Sequence, residues 1–329
     1  MKTIYGNQTL LASLGNMALR KRSPQSIIFC GDKGCGKKTI AAYYAAQLMC
    51  SDLTETGAPC GKCRNCKLVF SGTHPDITYV PTSGKSETYS VKTIRAVKQD
   101  AFVRPNNNSD IKVYIMADCQ NLSQEVQNTM LKIIEEPPEY CCFIFTAVNR
   151  YEFLPTILSR CVTFSVMPCT EQEAAAALAE ESDFSPDEIR RAVGCFHGNI
   201  GLCTQYVVDE GLRKKVDLTK RLADSIIRKD EYRLNADVYS IGSGKDDLRT
   251  VMSMLDNLMR DCAVLSEMSE PKLTGCCHDA AKRLAGTISP GQASSIHYAA
   301  RDAWNAIERN VSAPVVMAAL CADIISIIS

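Results

Sequence analysis

The sequence predicts an α/β domain with a parallel sheet, a phosphate-loop-like turn and a cysteine-rich insert, followed by a small helical domain and a larger all-helical one. Three observations carry this. Five short β-rich runs recur through the first half of the chain, and helical patterns separate most of them. A glycine loop joins the first run to the first helix. From about residue 208 onward no convincing strand is visible. Apolar strands that alternate with helices form parallel sheets covered on both faces.

The β-rich runs are SIIFC (26–30), DITYV (76–80), KVYIM (112–116), CFIFT (142–146) and VTFSV (162–166). TIAAYYAAQLMC reads as the helix after the glycine loop. VKTIRAVKQDAFV follows Ser90, which suits an N-cap. In SQEVQNTMLKIIEE, Ser123 can cap the helix, Val126, Met130, Ile133 and Ile134 make one apolar face, and Pro137-Pro138 stops it. RPNNNSD (104–110) reads as a polar turn or exposed loop. These elements define a domain over 1–168.

Over 169–207, TEQEAAAALAEES and SPDEIRRAVGCF read as short helices, and HGNIGL as a turn, which together make a small helical domain. Over 208–329, DDLRTVMSMLDNLMRDCAVL repeats apolar residues at spacings of three and four: Leu248, Val251, Met252, Leu255, Leu258 and Met259. ASSIHYAARDAWNAIERN and the last seventeen residues are also helical in pattern, which implies a bundle.

Composition bounds the function. The 329 residues carry 37 Lys plus Arg against 37 Asp plus Glu, so a generally basic nucleic-acid coat is excluded, and any contact with DNA is local or made through partners. Met1 is followed by a polar, alternating segment without an apolar signal core. No apolar run reaches membrane-spanning length, so a cytoplasmic chain without a membrane role is expected. Seventeen cysteines in such a chain are expected to be mostly reduced core residues.

Gly31, Gly36 and Lys37 fit the phosphate-loop pattern G-x-x-x-x-G-K, with Gly34 inside the loop. Such a loop points backbone N–H groups and a helix N-terminus at phosphate, and the lysine adds charge. The next position should carry the hydroxyl that holds Mg²⁺. Here it is Lys38, and the hydroxyl comes one place later, at Thr39. ATP and Mg²⁺ binding are therefore in doubt. At the end of KVYIM, where a pair of carboxylates would hold metal and polarise water, the sequence gives Ala117 and then a single acid, Asp118.

Cys50, Cys60, Cys63 and Cys66 form C-x9-C-x2-C-x2-C. Two C-x2-C steps let thiolates reach one ion from tight turns, and four thiolates make a closed structural site, for which zinc is the usual ion. A zinc module over 50–66 is expected. An iron–sulfur cluster is the rival, and His74 is an alternative ligand to Cys50. In LPTILSRC (154–161), a proline turn leads to Ser159-Arg160-Cys161 immediately before the last β-rich run. From spacing alone, Arg160 is a surface charge.

Taken together, GDKGCGKKT, the four-cysteine insert, HPD at 74–76, KVYIMADCQNLSQEVQNTMLKIIEEPPE and LPTILSRC resemble the bacterial clamp-loader subunits of DNA polymerase III, of the AAA+ class. The resemblance covers about residues 1–205. It implies a P-loop AAA+ domain with a zinc module, a lid domain and a helical collar that holds subunits in a ring of five. The ring loads a sliding clamp onto primed DNA in replication. For this chain it implies the stator type, in company with gamma/tau motor subunits and a delta subunit. It also makes Arg160, with Ser159 and Cys161, an arginine finger for ATP bound by a neighbour. Gly201 stands where motor subunits carry a phosphate-sensing arginine. Lys38, Ala117 and Gly201 depart together from a working site, so no intrinsic ATPase is expected. The rivals are an active motor subunit of the gamma/tau type and a zinc-containing nucleic-acid-binding module.

Overall fold

The computed structural model describes residues 3–82, 88–106, 110–181, 183–242, 244–268, 271 and 273–329. These form two compact units, Met1–Glu181 with Gly198–Leu202, and Ser182–His197 with Cys203–Ser329.

The first unit is a five-stranded parallel sheet with helices on both faces. Its strands are β1 (Ser26–Cys30), β2 (Ile77–Tyr79), β3 (Lys112–Met116), β4 (Cys141–Ala147) and β5 (Val162–Ser165), in the spatial order β2-β3-β4-β1-β5. All four ladders are parallel. Ile27 pairs with Ile144 of β4 and Val162 of β5, so β1 is central. All five runs read from the sequence are strands, with ends shifted by no more than a residue. The edges are short: β2 has three residues and β5 four.

Side chains alternate across the sheet, as strand geometry requires. Ile28, Tyr114, Met116, Phe143 and Phe145 point to one core, and Ile27, Phe29, Val113, Ile115 and Ile144 to the other. The helices of this unit are α1 (Gln8–Leu19), α2 (Lys37–Met49), α3 (Arg64–Phe70), α4 (Val91–Ala101), α5 (Gln124–Glu135), α6 (Pro155–Leu158) and α7 (Glu171–Glu181). α4 and α5 cover the first core. α1 and α2 cover the second. Ser90 and Ser123 cap α4 and α5 as expected, each hydroxyl accepting the backbone N–H three residues on. The face of α5 formed by Val126, Met130, Ile133 and Ile134 is buried.

Two helices of this unit were not evident from the sequence. α1 occupies the segment that reads as polar and alternating, and α3 lies inside the cysteine-rich insert. α2 also starts two residues earlier than its pattern suggests, because Gly36 turns the chain directly into it. Of the polar stretch 104–110, residues 107–109 lie outside the described residues; Arg104 to Asn106 and Asp110 belong to no helix or strand.

In the second unit, α8 (Pro186–Phe196) opens with a reciprocal capping box between Ser185 and Glu188. Ser182, at the end of the preceding helical pattern, lies outside the described residues. The stretch HGNIGL is a turn only over its first three residues: α9 (Ile200–Val208) begins inside it, and Gly198–Leu202 belong to the first unit. After α9 come α10 (Glu210–Arg228), α11 (Glu231–Ser240), α12 (Lys245–Glu267), α13 (His278–Ala285), α14 (Pro290–Glu308) and α15 (Ala313–Ile328). α12 packs against α10, α13 and α14, and α15 against α11 and α14. All six apolar positions predicted on α12 are buried. Among the described residues no strand follows β5, and no helix is long and apolar enough to cross a membrane.

The insert is seated on α1 by a glycine pair. A Cβ on Gly15 would lie 2.3 Å from the Thr56 carbonyl oxygen, and one on Gly57 (φ 77°) 2.3 Å from the Gly15 carbonyl oxygen. In an unobstructed helix, Gly→Ala stabilises by about 1 kcal/mol. Here the clash reverses the sign, so Gly15→Ala is expected to destabilise by about 1–3 kcal/mol. A thermal melt showing an unchanged or raised midpoint would contradict this packing.

Candidate functional site

The glycine loop lies at the carboxyl end of β1. Gly34 and Gly36 have φ values of 89° and 88°, in the left-handed region that glycine enters freely. α2 begins at Lys37, which is 5% exposed; its ammonium donates to the carbonyl oxygens of Gly31 at 2.7 Å and Asp32 at 2.8 Å. Cys35 donates its thiol hydrogen to the Asp32 carbonyl, and burial raises its pKa. Lys38 and Thr39 are both exposed.

Lys38 has a partner. Its ammonium lies 2.5 Å from the carboxylate of Asp118, just beyond the end of β3. Asp118 adopts φ 55°, its N–H donates to the Thr146 hydroxyl, and the next residue's N–H donates to the Thr146 carbonyl. The carboxylate at the strand end is thus engaged by a cation that belongs to the loop itself. Ala117 offers only its carbonyl, which accepts the Tyr89 hydroxyl at 2.7 Å.

The loop is also clasped by residues 199–201. The Asn199 side-chain amide donates to the Lys33 carbonyl at 2.8 Å, and its oxygen accepts the Leu202 N–H. The Gly201 N–H donates to the Gly34 carbonyl at 3.0 Å, and a Cβ on Gly201 would lie 2.6 Å from that oxygen. No side chain fits at position 201 while the loop holds this form. Asn199 was missed in the sequence, although an Asn directly before a helical run is an N-cap signal.

The four cysteines of the insert converge. The sulfurs of Cys50, Cys60, Cys63 and Cys66 all lie within 4.8 Å of one another. A tetrahedral ion with metal–sulfur bonds of about 2.3 Å holds its sulfurs about 3.8 Å apart, so the set fits a single ion. The backbone N–H groups of Cys60, Cys63 and Cys66 donate to the sulfurs of Cys50, Cys60 and Cys63, at 3.3, 3.3 and 3.4 Å. Burial raises Cys50 and Cys66. For Cys63, the N–H of Cys66 and the N–H and hydroxyl of Ser51 outweigh burial and lower its pKa to about 6. His74 lies outside this group. It is buried, and its Nδ1 accepts the Asp76 N–H at 3.2 Å, so Cys50 and not His74 completes the set.

Gln47 Nε2 donates to the Gly57 carbonyl and Asn65 Nδ2 to the Met49 carbonyl, which pins the insert to the end of α2. α2 runs back along the sheet, so the insert lies at the edge where the strands begin. A cavity of about 650 Å³ there is lined by Cys50, Ser51 and the segments that precede β1, β3 and β4.

Arg160 is at that same edge, two residues before β5. Because β5 runs parallel to β1, it lies at the opposite end of the sheet from the glycine loop. Its guanidinium donates to the Thr156 carbonyl at 2.9 Å and the Ser159 hydroxyl at 3.2 Å, and pairs with Glu135 at 3.1 Å. Cys161 packs against the core, and burial pushes its thiol up to about 12. No local pattern marks Glu135 as its partner, since the two are far apart in the chain.

The family profile of the DNA polymerase III delta subunit matches residues 6–170, half of the chain. The chain belongs to that family. It is 33% identical over 178 residues to the delta-prime subunit of DNA polymerase III from Bacillus subtilis, covering 54% of this chain and 52% of that protein. Against the delta-prime subunit from Pseudomonas aeruginosa it is 29% identical over 219 residues, 65% of this chain and 64% of that one. The tau/gamma subunit from Haemophilus influenzae is 30% identical over 176 residues, which are 54% of this chain and 25% of the relative. The matched segments thus span less than two thirds of these relatives' own lengths.

Four thiols held this close are expected to take one divalent ion per chain, measurable by elemental analysis of the purified protein. Cys63→Ser should reduce that content and lower the melting temperature, because metal–thiolate bonds contribute folding free energy to the insert. A metal-free protein that melts like its Cys63→Ser variant would refute this.

Proposed function

We propose that this chain is a clamp-loader subunit of DNA polymerase III, of the delta-prime stator type. In this reading it sits in a five-membered ring with gamma/tau motor subunits and a delta subunit, and the ring places a sliding clamp on primer-template DNA. Residues 169–207 serve as the lid domain and 208–329 as the collar. The ion in the insert is structural zinc.

The observation that carries the stator reading is the Lys38–Asp118 pair. In a working loop this position supplies a hydroxyl to Mg²⁺, and the strand end supplies carboxylate. Here an ammonium takes the carboxylate. A divalent cation a few ångströms from that ammonium meets repulsion of at least about 1 kcal/mol, even in a water-like dielectric. The contacts of Lys37 with loop carbonyls support the same reading, since they engage the ammonium that phosphate would need.

Arg160 supports the other half. At the far end of the sheet it cannot serve the chain's own loop, so its function is exerted on nucleotide held by a neighbour. When bound there, ATP supplies the phosphoryl group that is transferred. The guanidinium offers planar, paired N–H donors to the charge that develops on it, an effect worth roughly 10³–10⁵ in rate.

The similarity to tau and gamma subunits favours a second reading, an active motor, and one experiment separates the two. The purified chain is expected to hydrolyse no ATP above background, and Lys38→Thr alone is expected not to restore turnover, because residue 117 remains Ala. Turnover that disappears in Lys37→Ala would establish the motor reading instead. In the reconstituted assembly, Arg160→Ala should leave folding and stoichiometry intact and lower DNA- and clamp-stimulated ATP turnover in part, since other interfaces keep their own fingers. Arg160→Lys should be nearly as damaging, and unchanged rates would reduce Arg160 to a surface charge.

A further inference from the structure

We infer that Glu135 is a positioning residue for Arg160, holding the guanidinium ready for a nucleoside triphosphate on the neighbouring subunit; this rests on the finger reading above. α5 ends in two consecutive carboxylates, Glu135 and Glu136, followed by Pro137 and Pro138. The carboxyl end of a helix carries partial negative charge and favours cations, so two acids there oppose both the helix and each other. Local rules broken without local gain mark positions retained for another reason. Lys132 stands in the same last turn, and the structure brings a second cation from another element, Arg160, to 3.1 Å from Glu135.

The contacts form a three-point cradle. One terminal nitrogen of Arg160 donates to the Thr156 carbonyl and the Ser159 hydroxyl, and the other lies 3.1 Å from a Glu135 carboxylate oxygen as an ion pair. Guanidinium has five N–H donors in a rigid plane. The N–H groups of the second terminal nitrogen and of Nε, beside the Glu135 carboxylate, remain for an anion approaching from outside. Both side chains of the pair are about 40% exposed, so such an anion can reach them. Thr156 and Ser159 belong to the same short turn as Arg160, whose backbone is held by Ile157 and Cys161 in the core. Glu135 comes from a different element, α5, and so fixes the far end of the side chain, the guanidinium, relative to that core. A finger held this way spends less rotamer freedom when it meets phosphate, and misplacement by about 1 Å can cost up to about a hundredfold in rate.

The test is a double-mutant cycle in the complete reconstituted assembly, read as DNA- and clamp-stimulated ATP turnover at varied ATP. Glu135→Ala is expected to remove at least about half of the turnover that Arg160→Ala removes, by lowering the maximal rate and not by raising the half-saturating ATP concentration. In the Arg160→Ala background, Glu135→Ala should have no further effect, because a positioning residue acts only through the group it positions. Should Glu135→Ala fail to fold or assemble, Glu135→Gln, of the same shape but uncharged, is judged by the same criteria. Wild-type turnover in the Glu135 variant, or losses that multiply in the double variant, would overturn the inference while leaving the finger standing. Wild-type turnover in Arg160→Ala would remove the finger reading itself, and this inference with it.

Discussion

Strand direction is the constraint on which the rest of this unit depends. With all five strands parallel and β1 between β4 and β5, every strand finishes at one edge of the sheet and starts at the other. The glycine loop and the Ala117-Asp118 turn follow strands and meet at the first edge. Arg160 precedes a strand and falls at the second. α2 carries the chain back across the sheet, so the four-thiol insert that follows it also lies at the second edge. The glycine loop and Arg160 are kept at opposite ends of the sheet by topology rather than by distance along the chain.

At the first edge the ammonium groups of Lys37 and Lys38 and two carbonyls of the loop have partners within the unit. Lys37 turns to carbonyls, Lys38 to Asp118, and the backbone of Lys33 and Gly34 to Asn199 and Gly201. The exposed Lys38–Asp118 pair is worth little to stability by itself, since such pairs contribute about 0–1 kcal/mol. Its consequence is local, because it removes a carboxylate from use. Gly201 makes the same point sterically: the loop and the start of α9 touch backbone to backbone, and a side chain there would separate them.

Much of this was legible in the sequence because short-range rules governed it. The five strands, the caps at Ser90 and Ser123 and the buried stripe of α12 follow from periodicity and hydroxyl placement, and the convergence of the four thiols follows from C-x2-C spacing. α1 was missed because no side-chain cap marks its start at Asn7 and its buried face is narrow, formed by Leu10, Leu14 and Gly15. α3 was missed because the cysteine spacing dominated the pattern around it. His74 stood as an alternative ligand on composition alone, and only folding shows its ring turned to the Asp76 backbone. The partners of Lys38, Arg160 and Lys33 come from residues 25 to 166 positions away, and no local pattern encodes such pairings.

The short outer strands carry a consequence for how this unit meets other chains. β2 and β5 expose only three and four residues of backbone edge. A flat, long edge invites a foreign strand to continue the hydrogen-bond ladder, which gives adhesion with little discrimination. Here too few backbone groups are aligned for that. Any chain that docks on this unit must instead read side chains and helix surfaces, which discriminate by shape and charge and not by a generic backbone ladder.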